Sequence, residues 1–539
     1  MSRKCLLWLF LPILLGSTGR LHAAVPAQFI AKIYSEALGR APDPKGWLAA
    51  VRYFQTSGCS QRTLESWGAS ALASSEFREL HYDDAAMTLI AYRAILNREP
   101  DPSGYAHWYS MLRTGESRST VVAAFFKSRE FSLLVPYLCS GESYSFGTLG
   151  TGPALKIPMT HAGGYGHLSE TGLQNLLYST AAGDTVLLQQ ESVVYLTRPL
   201  SIPAGVTLAT EGLPDPHHHA LMARLVRAAP FSAPMIEINV DDNPNPSGNL
   251  RSIWVDGERA KTTPFVSGAI DVEIYGGNDA TVTSSFLSGS LGWSTLHSYG
   301  LLDGRRCAGN SILGNVITAY SSVHTNGTWS DGLSVSCEHS LVEGNQIIDA
   351  TDVGIVVFSA YPENQESQVI GNTVVNAGNS AFAAFAFDPL QNRSADDPNF
   401  TGSAISKNIL WSGPDAHFII GIAVGTRPWY PHGAIGTGAS AVGNSTAGVP
   451  THFGATIVVS GMLNATVLGN VFSDVPIKPY VTACPIGAVL ASVSAELASG
   501  SIQSFSDETV NGCMSDNSRS PFAFRGPRPA LWNYRDVNK

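Results

Sequence analysis

The 539-residue chain predicts an all-β solenoid of stacked coils, preceded by a smaller α-helical domain. The first observation is a row of asparagines. Short apolar bursts in the second half each carry one at the same place, at 315, 345, 372, 408, 444 and 470. One asparagine per coil, with insertions on some coils, is the period of a solenoid. The second observation is a repeat of helical texture near the start. "ALGRAPDPKGWLAAV" (37–51) returns as "ILNREPDPSGYAHWY" (95–109), and "ASSEFREL" (73–80) returns as "KSREFSLL" (127–134). With 44% hydrophobic residues, 14% charged, Gly 52 and Pro 31, the chain is turn-rich and globular rather than disordered.

Taken in order, the chain opens with Arg3 and Lys4, the apolar run "LLWLFLPILLG" and the small-residue stretch "STGRLHAA", the signature of a secretion signal over 1–24. The run is short and broken by Pro12, and no second run approaches a membrane span. A secreted or periplasmic protein is expected. The net charge is −10, and the leader removes three cations and no acid. Such a body is a poor partner for nucleic acid. Past the leader six cysteines remain, an even set that favours disulfides in an exported chain. By neighbourhood they pair as Cys59 with Cys139, Cys307 with Cys337, and Cys484 with Cys513.

Residues 25–142 form the helical domain. Each copy reads as helix, an Arg-x-Pro-Asp-Pro-x-Gly-aromatic turn, helix, then a Ser-x-Glu-Phe cap opening a last short helix. This unit resembles a repeat domain of unassigned function found in many bacterial secreted proteins, often near calcium-binding nonapeptides. Those nonapeptides are absent here, so no calcium role follows.

From "GTLGTGPALKIP" (147–158) onward the texture changes to short strands and turns, and residues 150–539 form the second domain. "LQNLLYSTAAGDTVLLQQESVVYLTRPLSIPAGVTLAT" (173–210) resembles the opening of right-handed parallel β-helices of the pectin and pectate lyase superfamily. That resemblance implies a short helix capping the first coil, and action on a polysaccharide. The recurring asparagines would then hydrogen-bond up and down the axis as a ladder, holding the turn rather than catalysing.

One strand-rich segment, 329–358, concentrates acids in a chain poor in charge. Aligning Gly332 of "SDGLSV" with Gly354 of "TDVGIVVF" brings Asp331 and Asp352 to the same turn, one residue out of step. Coils lie about 4.8 Å apart and a strand residue adds about 3.3 Å, so the carboxyls fall on the order of 5 to 6 Å apart, a range in which paired carboxylates share acid–base work on a glycosidic bond. Asp before Gly is also a common turn formula, so the pair is read both ways. His324 is a third catalytic candidate. Tyr320 and Trp329 offer rings for sugar stacking, Arg305 and Arg306 could bind a uronate, and Asp388 follows the next strand but one. His297 and His324 are equally read as ordinary loop residues, and "PDPHHHA" (214–220) as a loop.

The sequence therefore predicts a polysaccharide hydrolase, lyase or epimerase. The rival is a non-catalytic glycan-binding or structural rod. A polysaccharide partner, a monomer and no cofactor are expected, since no phosphate loop, dinucleotide glycine motif or zinc knuckle is found.

Overall fold

The computed structural model describes residues 25–140, save 99 and 101, most of 169–476, and 489–491. Within 169–476 the segments 229–230, 240–246, 259–264, 301–306, 319–328, 360–364, 379, 390–397, 426–433 and 460 lie outside the description. Residues 1–24, expected to be a leader, and Arg305, Arg306, Tyr320, His324, Cys484 and Cys513 therefore lie outside the described residues.

The two helical copies run Ala27–Leu38, Pro44–Ser57, Gln61–Ala71 and Ser75–Glu79, then Asp84–Ile90 continuing as Ala91–Ile95, Pro102–Arg113, Arg118–Lys127 and Arg129–Leu138. The repeated motifs recur because they bind each other. Asp43 caps its helix by accepting the Gly46 amide at 2.9 Å. Arg40 in the same turn grips Glu76 of the Ser-x-Glu-Phe cap, Nε to Oε1 at 2.7 Å and Nη2 to Oε2 at 3.0 Å, and lies 4.9 Å over the Tyr34 ring. In the second copy Arg98 grips Glu130 and lies 4.9 Å over Tyr92. Ser74 and Ser128 cap the last helices, accepting the Phe77 and Phe131 amides at 3.1 and 3.0 Å. A planar guanidinium suits this bidentate, ring-stacked position in a way lysine would not. The expected disulfide Cys59–Cys139 ties the turn after the second helix of the first copy to the end of the last helix of the second.

The second part is a parallel β-helix. Each of the first eight coils gives one strand to each of three parallel sheets, which among the described residues have ten, eight and eleven strands. One coil reads Leu341–Glu343, Gln346–Ile348 and Val353–Phe358, and the next Gln368–Ile370, Thr373–Asn376 and Ala381–Asp388. Inward residues such as Val342, Ile347 and Ile355 build one continuous core. The helix Glu170–Ser179 closes its first end with Leu173 and Leu177. There Gln174 donates to the Ser201 carbonyl at 2.9 Å and accepts its amide at 2.8 Å, satisfying an otherwise open edge strand.

The six asparagines sit buried between the first two sheets. Each amide Nδ2 but the last donates to the next Oδ1: Asn345 to Asn372 at 3.0 Å, Asn372 to Asn408 at 3.0 Å, and Asn408 to Asn444 at 2.9 Å. Each also donates to a carbonyl of the preceding strand, as Asn372 does to Val342 at 2.9 Å. In the fourth coil Ser285 stands at this corner, and its amide donates to Asn315 Oδ1 at 2.9 Å. The second expected disulfide, Cys307–Cys337, ties neighbouring coils.

The helices do not keep a core of their own. Their buried face is continuous with the outer face of the second sheet, where Trp254, Phe286, Val316, Ile348, Val375 and Trp411 are buried with them. Trp47 meets Trp411 at 4.5 Å, and Arg93 lies 4.3 Å over Trp254. The histidine tract read as a loop forms a 3-10 turn, Pro216–Leu221, that clamps this seam. His219 stacks on Phe286 at 4.2 Å, the Tyr82 hydroxyl donates to the His217 carbonyl at 2.7 Å, and His217 Nδ1 bonds the Leu38 carbonyl at 3.0 Å.

Two outcomes follow. Asn372→Ala strands the Asn345 donors and the Val342 carbonyl, and should cost about 3–5 kcal/mol in urea unfolding, because buried unpaired groups lose their full desolvation. Trp411→Ala should cost about 3–5 kcal/mol while leaving far-ultraviolet circular dichroism unchanged, because the loss falls at the seam between the two parts.

Candidate functional site

The third sheet presents a bent outer face. In an ordinary strand side chains alternate, but here two successive residues turn inward. A Cβ on Gly332 would strike Ile347 Cγ2 at 2.3 Å, and one on Gly354 would strike Val374 Cγ1 at 2.6 Å. The following Leu333 and Ile355 are also core residues. Outward positions are consequently three apart, at Val353 and Val356, and at Ala383 and Ala386. Glycine is required at the bend because the core occupies the space of its Cβ.

Asp331 and Ser334 are one such outward pair. Leu333 registers with Ile355, so Gly332 faces Gly354, and Asp331 and Asp352 enter one residue out of step as the alignment expected. The Asp331 carboxylate accepts the Val353 amide of the next coil at 3.0 Å and the Ser334 hydroxyl at 2.8 Å. It thus caps a turn while standing on the outer face of the sheet. Asp352 heads the next strand, its carbonyl accepting the amides of Phe382 and Ala383 at 2.9 and 3.1 Å. Both side chains are half-buried. Burial raises the Asp331 carboxyl well above the usual range, the Asp352 charge adds to this, and the two donors oppose it. Burial and the Asp388 charge push Asp352 up to about 7. Both acids therefore keep a proton to higher pH than an ordinary carboxyl.

The same outer row continues upstream. In register along successive coils stand Glu237, Glu273, His297 and Ser334. His297 Nδ1 bonds Glu273 Oε1 at 2.8 Å, and Tyr275 also hydrogen-bonds Glu273. Tyr299 stacks on the imidazole at 4.1 Å, and the Trp293 edge approaches at 4.4 Å. His297 is only 4% exposed, and burial lowers its pKa, which keeps the ring neutral. Burial and the neighbouring Glu273 charge raise the Glu237 carboxyl.

Several sequence expectations need correction. Trp329 is 7% exposed and offers no ring for stacking, because the chain entering the strand tucks it inward. Asp388 is 8% exposed at the end of its strand, so it bears on the site through its charge rather than as an open ligand. His297 is a strand residue, not a loop residue. The sequence reading does not include Glu237, Glu273, Tyr275 and Tyr299, although "IEI" (236–238), "DVEIY" (271–275) and "TLHSY" (295–299) carry them at alternating strand positions. Among the described residues no group of three or more His, Cys, Asp or Glu side chains is arranged to hold a metal ion, and no helix is long and apolar enough to cross a membrane.

Comparison with known proteins adds the following. A family model described as a domain of unknown function (DUF4214) matches residues 69–135, within the helical repeat. No curated protein matches the chain in sequence. Among solved structures, the chain is similar to the A-module of a mannuronan C-5 epimerase from Azotobacter vinelandii, at 13% identity, covering 64% of this chain and 95% of that one with a TM-score of 0.38. It is similar to an endo-xylogalacturonan hydrolase from Aspergillus tubingensis, at 11% identity over 66% of this chain and 99% of that one, TM-score 0.38. It is also similar to the tailspike protein of E. coli bacteriophage HK620, at 14% identity over 66% of each chain, TM-score 0.39. At such identities the likeness is one of fold.

The raised acid predicts a pH signature. A carboxyl at 3.8 when unfolded and about 7 when folded binds its proton more tightly in the native state. Its contribution is full below pH 3.8 and is lost as pH rises through 7. Asp352→Asn should flatten the stability profile over that window and be relatively more stable at pH 8, measured as urea midpoints at successive pH values.

Proposed function

We propose that the chain is an exported polysaccharide hydrolase whose glycan lies along the outer face of the third sheet, with Asp331 and Asp352 as its acid and base. The observation that carries this reading is that two carboxyls enter adjacent coils one residue out of step, half-buried and beside a row of polar and aromatic side chains. Hydrolysis needs one carboxyl protonated and one ionised across the scissile bond, and burial, with the charge of neighbouring carboxylates, raises both groups from the ordinary carboxyl range toward that state. The face is continuous over many coils, which suits an extended polymer. The leader over residues 1–24 and the two disulfides support export to an oxidising compartment. The helical repeat, fixed to the opposite flank by the tryptophan seam, serves as a brace, and the division at 142 and 150 marks where one texture gives way to the other.

A second reading, lyase or epimerase chemistry, draws on the neutral His297 beside Tyr299, since a base and a phenol are what proton abstraction and return require.

The test uses purified protein and a polysaccharide panel, following reducing ends and absorbance of unsaturated uronate at about 235 nm. Reducing ends without that absorbance mark the hydrolase. Asp331→Asn and Asp352→Asn should each lower turnover by about a thousandfold or more with glycan binding kept, because an amide keeps the shape but exchanges no proton at neutral pH. An active Asp352→Asn protein would rule out the pair.

A further inference from the structure

We infer that the C-terminal segment of this chain, residues 492–539, docks on the later coils of the third sheet's outer face, with the stretch "SPFAFRGPRPALWNY" (520–534) laid against them. The outward columns there are apolar: Val353 and Val356, Ala383 and Ala386, Ile420 and Ala423, then Ala455 and Val458. On an open face such side chains meet water, yet Ile420 is 1% and Val458 0% exposed. Among the described residues the cluster they form draws only on strands of this one sheet. A single sheet does not bury its own outer face, and the helical repeat covers the second sheet instead. Another part of the chain is therefore the cover.

The path of the chain names the occupant. Asp474–Pro476 pairs with Thr451–Phe453, and Val489–Ala491 pairs with Ile457–Val459 on the same edge, Leu490 in register with Val458. The described chain thus ends one coil past the apolar columns, and 48 residues, 492–539, follow. Four coils span on the order of 15 Å of solenoid, and ten extended residues already reach about 33 Å. Composition agrees with this placing. Pro521, Pro527 and Pro529 exclude a helix and favour an extended strip, in which Phe522, Phe524, Leu531, Trp532 and Tyr534 supply bulk for the shallow alanine columns. Arg525 and Arg528 stand among them with no acid in the stretch, in a chain of net charge −10. Acids flank the face at both ends, Asp352 before Val353 and Asp388 in register with Phe358, so the charges are complementary. The bond expected between Cys484 and Cys513 would anchor the segment at the same edge, since Cys484 lies between the two paired strands. So seated, the segment walls the outer face just past Asp352 and leaves the polar row of the earlier coils open.

The test photocrosslinks the intact protein carrying p-benzoylphenylalanine at position 382, where the half-buried Phe382 packs against the apolar columns, and identifies the joined peptides by mass spectrometry. Expected are links within one chain to the tryptic peptides 520–525 or 526–535. Links to any other part of the chain, links between two copies, or no link in folded protein would overturn the inference. A second arm keeps Phe382 and places Phe522→Ser and Trp532→Ser together in the full chain. Its binding of anilinonaphthalene sulfonate should exceed that of the wild type by about threefold or more, because the apolar columns are opened to solvent, with far-ultraviolet circular dichroism unchanged. Dye binding equal to the wild type would contradict the docking. Neither arm involves a glycan, so this inference and the hydrolase reading stand or fall separately.

Discussion

Register between coils is the constraint on which the rest of this molecule depends, and the buried asparagine ladder sets it. Each asparagine joins its own coil to the next through side-chain and backbone bonds at once, as Asn345 does through its amide and its Nδ2 to Asn372 Oδ1. A slip by one residue would turn every side chain of the coil to the wrong face and leave these donors unpaired in the core. The polar row on the outer face exists only because register holds. His297 and Glu273 are 24 residues apart in the chain, and Asp331 reaches the Val353 amide across 22.

The second constraint is the bend in the third sheet. Because Gly332 and Gly354 turn inward with the residue after them, Asp331 and Ser334 share the outer face at a spacing of three. An unbent strand would place them on opposite faces. The bend draws the Ser334 hydroxyl onto Asp331 and lets one carboxylate cap a turn while standing on the outer face. Further along, the same outward columns become apolar and buried, at Val356, Ala386, Ala423 and Val458. The polar stretch is thus confined to the earlier coils, where the acids, the histidine and the half-exposed rings meet.

Much of this was legible in the residues. The asparagine spacing announces the coils, the glycine alignment places Asp331 and Asp352 in their register, and neighbourhood pairs Cys59 with Cys139 and Cys307 with Cys337. The helical motifs show as a repeat, though their reason, an arginine in one gripping a glutamate in the other, appears only in three dimensions. The His297–Glu273 pair was hidden because insertions vary the coil length there, so no fixed offset links the two strands. Docking of the helices was hidden for another reason. Strands such as "QII" and "ILWS" lack alternation because both faces are buried, and that pattern does not say what covers the second face. Trp329 misled because an aromatic beside an Asp-Gly turn looks exposed, whereas the entry to the strand folds it in.

The central claim is that the outer face of the third sheet, from Glu237 to Asp352, is where a glycan binds. The most direct measurement is a crystal structure of Asp352→Asn soaked with whichever oligosaccharide the wild type turns over. The account predicts saccharide density along the solenoid axis, with one ring against Tyr299 and a glycosidic oxygen between Asp331 and residue 352. Density confined to the helical repeat or to the first sheet, with this row empty, would contradict it.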